Sequence, residues 1–85
     1  MSLTKTEKEF IKKIGKRIVE LRNERGLKQI DLSVKLNIED SALRRIESGR
    51  TNPTIKTLLR ISQSLEIDFK ELFYFSKDDT ENKSQ

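Results

Sequence analysis

An all-α fold of five helices is predicted by three features of this 85-residue sequence. Apolar residues recur three and four apart rather than alternately, the spacing of helical faces. Several polar clusters have the form of helix N-caps, each just before an apolar run. One proline and three glycines leave little for tight β-turns or long irregular loops. With 33 % hydrophobic and 38 % charged residues the core is small, and a partner subunit could help to stabilise it. The length suits one domain, expected over residues 1–75, followed by a polar tail at 76–85.

The first helix is predicted over about residues 5–25. Thr6-Glu7-Lys8-Glu9 has the form of a capping box, and Thr4-Lys5-Thr6-Glu7 offers the same box two residues earlier. Phe10, Ile11, Ile14, Ile18 and Leu21 then follow at helical spacing, with Arg22 the one basic residue in line with them. Gly26 suits the left-handed position that closes a helix. Lys12, Lys13, Lys16 and Arg17 fall on the other face and read as solvated. A short second helix, about 29–36, carries Ile30, Leu32 and Leu36 and is interrupted by Asn37, a residue type that tolerates positive φ.

A third helix, about 40–48, stops at Gly49. Arg50-Thr51-Asn52-Pro53 reads as a loop, because proline disfavours helix in the residue before it. Thr54 is the N-cap of a fourth helix with Ile55, Leu58, Leu59, Ser62 and Leu65 on one side. Asp68-Phe69-Lys70-Glu71 is a further capping box, opening a short fifth helix with Leu72 and Phe73. Residues 76–85 are polar and aperiodic, which predicts a disordered tail.

Composition narrows the function. The absence of cysteine and histidine removes disulfides, thiol nucleophiles, cysteine or histidine zinc ligands and imidazole acid–base chemistry. No nucleophile–base set remains, so neither an enzyme nor a cofactor is expected. No apolar run has the length of a membrane span or signal peptide, which makes the cytoplasm the expected compartment and a membrane an unexpected partner. The net charge is +4, from 18 basic and 14 acidic residues. Residues 76–85 hold two lysines against three acids, so the rest carries +5. That excess fits a polyanion, nucleic acid ahead of a membrane surface.

The informative unit is Gln29 to Ser48. Two short helices crossing steeply need a small residue at the crossing, here Ser33, and a residue accepting positive φ in the turn, here Asn37. Leu32, Leu36, Ile38, Leu43 and Ile46 fill the concave side. Together these meet the requirements of a helix-turn-helix. With Leu43 and Ile46 inward, the third helix presents Ser41, Arg44, Arg45 and Ser48 outward, with Asp40 at the margin. Two arginines with small hydroxyls can enter a major groove.

The stretch from Arg25 to Asp68 resembles the Cro/CI-type helix-turn-helix family of bacterial and phage regulators, also called the xenobiotic-response-element family. The likeness spans about residues 14–73, most specifically R-G-L-x-Q at 25–29, R-I-E-S-G-R at 45–50 and N-P-T-I-x-T-L-L-x-I at 52–61. It implies a five-helix, lambda-repressor-like bundle, with helices two and three as the reading unit. It also implies a transcriptional repressor or autoregulator that binds a palindromic operator in double-stranded DNA as a homodimer. Gln29 matches the family's phosphate-contacting glutamine, Arg50, Thr51 and Asn52 its backbone-contacting loop, and Arg22 with Glu47 a structural ion pair. Glu39, Asp40, Ser41, Arg44 and Arg45 match positions that read bases or adjoining phosphates, Arg45 serving either role.

The sequence departs from the family pattern in two places. Lys28 replaces the usual N-cap hydroxyl before the second helix, fraying that end or adding a phosphate contact. Glu39 and Asp40 stand where a hydroxyl and a neutral or basic residue are usual. Three readings stay open: the acids cap the helix through its dipole, one accepts from a cytosine amino group, or the pair weakens DNA binding in a domain turned to another use. Tyr74 and Phe75 look surplus to so small a core and are candidates for a dimer contact or for packing under the tail. The rival function is a protein-interaction module, an antitoxin or adaptor using the same fold.

Overall fold

The structure, a computed structural model, describes residues 2–75, so the predicted tail lies outside the described residues. Four α-helices form: α1 (Lys5–Glu24), α2 (Gln29–Leu36), α3 (Asp40–Glu47) and α4 (Ile55–Leu65), followed by a 3-10 turn at Phe69–Phe73. The helix α1 lies against α3 and the 3-10 turn, α2 packs on α3 and α4, and α4 packs on the turn. Ile18, Leu32, Leu43, Ile61, Leu65 and Leu72 are fully enclosed at the centre.

The N-terminus of α1 uses the earlier of the two boxes. Thr4 Oγ1 accepts from the Glu7 amide at 3.1 Å, and the Glu7 carboxylate accepts from the Thr4 amide at 2.8 Å. At the ends of the helices one pattern of two backbone bonds recurs. After α3, Gly49 N–H donates to Ile46 and Arg50 N–H donates to Arg45, with Gly49 at φ 78°. The same closure follows α2, where Asn37 takes φ 57°.

Four expectations need correcting. The fifth helix is a single 3-10 turn. Asp68 accepts from Lys70 N–H, but Glu71 does not reach back to complete the box. Its carbonyl accepts from Arg17 Nε at 2.8 Å and its carboxylate lies 3.4 Å from Arg17 Nη2. Arg17 is thereby moved off the solvated face assigned to it and ties α1 to the turn. Along α4 the buried row is Leu58, Ile61, Ser62 and Leu65, while Ile55 and Leu59 are exposed. The true row has the i, i+3, i+4, i+7 spacing, and the assigned one lies along its edge. Likewise Phe10 and Ile30 are exposed. Phe10 stacks at the margin on Phe73 (6.3 Å between ring centres) and edge-on against Phe75 (5.4 Å).

Candidate nucleic-acid interface

The position of α3 is fixed from behind. Leu43 and Ile46 enter the core beside Leu32 and Leu36 of α2, and Ser33 is buried where the two helices cross. Ser33 Oγ donates to the Ile30 carbonyl at 2.8 Å, so its enclosure leaves no unmet donor. Gly15 lets α1 come in close. A Cβ there would stand 2.5 Å from the Ile46 carbonyl oxygen and 2.6 Å from that of Glu47. The two backbones meet at that point without a side chain between them.

Beside this contact Glu47 organises a clamp. Arg22 Nε donates to Glu47 Oε2 at 2.8 Å and Nη2 to Oε1 at 3.0 Å, a two-pronged pair with both side chains largely buried. Arg22 Nη1 also donates to the Leu27 carbonyl at 3.1 Å, so the one guanidinium links α3 to the loop that leads into α2. The hydrogen bond to Glu47 raises Arg22 above its ordinary pKa, outweighing the opposing effect of burial. Gln29 Nε2 donates to the same Glu47 Oε1 at 2.8 Å. The glutamine expected to meet phosphate is thus held by α3, with a second amide hydrogen left over.

In front, Ser41, Arg44, Arg45 and Ser48 are all exposed, and Asp40 is half-buried at the start of the row. Ser48 Oγ donates back to the Arg45 carbonyl at 3.2 Å. Arg44 Nη2 donates to Asp40 Oδ2 at 2.6 Å, whereas Arg45 meets no side-chain partner among the described residues. Glu39 is the N-cap by backbone conformation, yet its side chain accepts no amide. At the N-terminus of α2, the Lys28 amide donates to Asp31 Oδ2 at 2.8 Å and the lysine side chain is exposed. A surface hollow of about 430 Å³ lies there, lined by Arg22, Asn23, Gly26, Leu27, Lys28 and Gln29. In the loop after α3, Arg50 and Asn52 are exposed and Thr51 is half-buried.

The fold therefore gathers Lys28, Gln29, Ser41, Arg44 and Arg45 on the helix-turn-helix, with Arg50 to Asn52 following directly. Tyr74 is exposed, but Phe75 packs on Phe10 with Lys13 Nζ 5.9 Å from its ring centre. Gly15 and the Asp40–Arg44 pair escaped the sequence reading. Gly15 could have been found, because it shares the inward phase of Ile11, Ile14 and Ile18. The pair carries a weaker signal, an acid four residues before an arginine.

A family profile described as Helix-turn-helix matches residues 18–72. The HTH-type transcriptional regulator RamB of Mycobacterium tuberculosis is 40 % identical over 67 residues, covering 79 % of this chain. The chain spans only 14 % of that relative's length. Among solved structures, the restriction-modification controller protein C.AhdI from Aeromonas hydrophila superposes with a TM-score of 0.72 at 32 % identity, over 74 % of this chain and 96 % of that one. The controller protein C.Esp1396I, solved as a tetramer on its natural 35-base-pair operator, matches with a TM-score of 0.66 at 32 % identity, over 75 % and 95 %.

Proposed function

Since the chain belongs to the helix-turn-helix family matched over residues 18–72, we propose that it regulates transcription by binding a palindromic operator in duplex DNA as a homodimer. The observation that carries this reading is the contrast across α3. Its inner side is clamped by Arg22, Glu47 and Gln29, while its outer side leaves Ser41, Arg44 and Arg45 exposed in a row. A rigid helix with exposed donors is what major-groove reading requires. Ser41 and Arg44 contact bases, with Asp40 beside them, and Arg45 contacts a base or an adjoining phosphate. Lys28, Gln29, Arg50, Thr51 and Asn52 hold phosphates, Gln29 through its remaining amide hydrogen. The basic excess of the chain and the operator-bound tetramer of C.Esp1396I both support binding to operator DNA.

The second copy docks through exposed apolar residues, Tyr74 after the 3-10 turn with Ile55 and Leu59 of α4, the helix that packs on that turn. Phe75 contributes less than Tyr74, being already packed on Phe10. Two recognition helices then enter successive major grooves, roughly 34 Å apart. None of the helices among the described residues is long and apolar enough to cross a membrane, and the proposed place of action is the cytoplasm.

Selection of the purified protein against random duplex DNA tests the proposal. Recovery of a palindrome with half-sites about one helical turn apart is expected. Log affinity for it should fall with log salt at a slope near −6, from roughly six to eight phosphate contacts per dimer. Failure to enrich any sequence, with binding indifferent to salt, overturns the proposal and favours a protein-interaction module.

A further inference from the structure

Two acids open the recognition helix, and neither caps it by hydrogen bonding. Glu39 accepts no backbone amide. Asp40 gives Oδ2 to Arg44, and its Oδ1 is enclosed without any hydrogen-bond donor among the described residues. The helix dipole welcomes an acid in the first turn, but it does not account for a carboxylate that holds a side chain. Among the described residues the one group its side chain holds is the guanidinium one turn later, at 2.6 Å.

We propose that Asp40 is a positioning residue that makes Arg44 a reader of guanine rather than a ligand of phosphate. The inference rests on the DNA-binding reading above. An untethered arginine at the groove edge can reach phosphates as well as bases, and phosphate contacts carry no sequence information. Asp40 opposes that in two ways. Its negative charge offsets that of Arg44, reducing the gain from releasing counterions, and it repels phosphate itself. Its Oδ2 also fixes one guanidinium nitrogen over the N-terminal turn of α3, the end of a recognition helix that meets base edges. Nη2 keeps one hydrogen, Nη1 keeps two and Nε one, enough for the paired O6 and N7 acceptors of guanine. The acid that looks hostile to DNA in the sequence thus sharpens the choice of base.

The test compares the full chain with Asp40→Ala and Asp40→Asn. Each is titrated over a salt series with the selected operator, with random duplex, and with operators altered at the base pair where Arg44→Ala loses its preference. The wild type is expected to prefer guanine there by about 10- to 100-fold. Asp40→Ala should reduce that to below roughly fivefold at this position only. It should also bind random duplex more tightly and steepen the salt slope by about two per dimer, one new phosphate contact for each subunit. Asp40→Asn, which keeps an acceptor but loses the charge, should retain most of the preference and still gain affinity for random duplex. If both variants keep the base preference and shift every sequence by one common factor, Asp40 acts only as a charge and the proposal is overturned. A wild type that enriches no sequence overturns the DNA-binding reading itself, and this inference with it. Thermal unfolding of both variants separates these outcomes from loss of fold.

Discussion

On the inner side of α3, Glu47 and Arg22 lie with 4 % and 12 % of their side chains exposed, whereas on the outer side Asp40 and Arg44 keep 33 % and 61 %. Both are arginine–carboxylate pairs and both are short, yet their surroundings give them different work. Removing one partner of the inner pair strands a charge among apolar side chains, which is costly. Removing one partner of the outer pair leaves the other partly in reach of water, which costs far less. The inner pair therefore sets where the helix stands, and the outer pair is available to set what the helix touches. One helix of eight residues separates these two jobs mainly along its length: Asp40 opens it, while Glu47 ends it, where α1 comes in closest at Gly15.

The inner pair offers the largest effect. Glu47→Ala is expected to lower stability by about 3–5 kcal/mol, read as a fall in the urea midpoint. A loss under about 1 kcal/mol would mean that the clamp is decorative. Arg22 is more basic in the folded protein than its ordinary value, so its charged form is favoured by folding. That contribution is fully present at pH values below the ordinary arginine range and is lost only as pH rises beyond the folded value. The stability gap between wild type and Glu47→Ala should thus be the same at pH 7 as at pH 10. Gly15→Ala comes next, at about 1–3 kcal/mol, because its methyl group would meet two backbone carbonyls of α3 that cannot rotate away. It should also displace the outer face, so its DNA affinity should fall further than unfolding alone explains.

These two predictions rest on features of unequal visibility in the sequence. The Arg22–Glu47 pair was legible in part: an arginine in an apolar stripe needs a buried partner, and the family resemblance pointed to Glu47. The helix-turn-helix was legible for a related reason: Ser33, Asn37, Leu43 and Ile46 answer local requirements that spacing reveals. What stayed hidden depends on which elements approach each other. Whether Asp68 begins a full helix depends on Arg17, fifty-four residues from the Glu71 carbonyl it takes. The buried edge of α4 is not legible because Ile55 and Leu59 are as apolar as Ile61, and only packing against α2 and the turn decides which go in. Roles toward DNA are less legible still, since exposure shows only that a side chain is available.

A smaller effect comes from the end of α4, where Glu66 closes the helix in the left-handed conformation at φ 58°. Its side chain makes that conformation unfavourable, while its carbonyl accepts from Arg25 Nη2 at 3.1 Å and so helps to hold it there. Glu66→Gly removes the steric penalty and adds some unfolded-state entropy, for a net gain of about 0.5–1 kcal/mol. Differential scanning calorimetry would show this as a modest rise in Tm. No rise would indicate that the carboxylate has a stabilising contact to lose.

Smallest in stability, and most informative for the comparison, is Arg44→Ala. The exposed pair contributes about 0.3–0.5 kcal/mol at most, so the unfolding midpoint should hardly move. Operator recognition should change far more, with discrimination at one base pair of each half-site weakened by about 1–3 kcal/mol. Arg50→Ala serves as the control, because a lost phosphate contact weakens all sequences alike and reduces the salt slope by about one per subunit. The two faces of α3 are truly divided only if stability and base preference separate in this way, Glu47→Ala lowering the first and Arg44→Ala the second. A variant at position 44 that unfolds as readily as one at position 47 would show that the outer pair also holds the helix in place, and that burial alone does not assign the work.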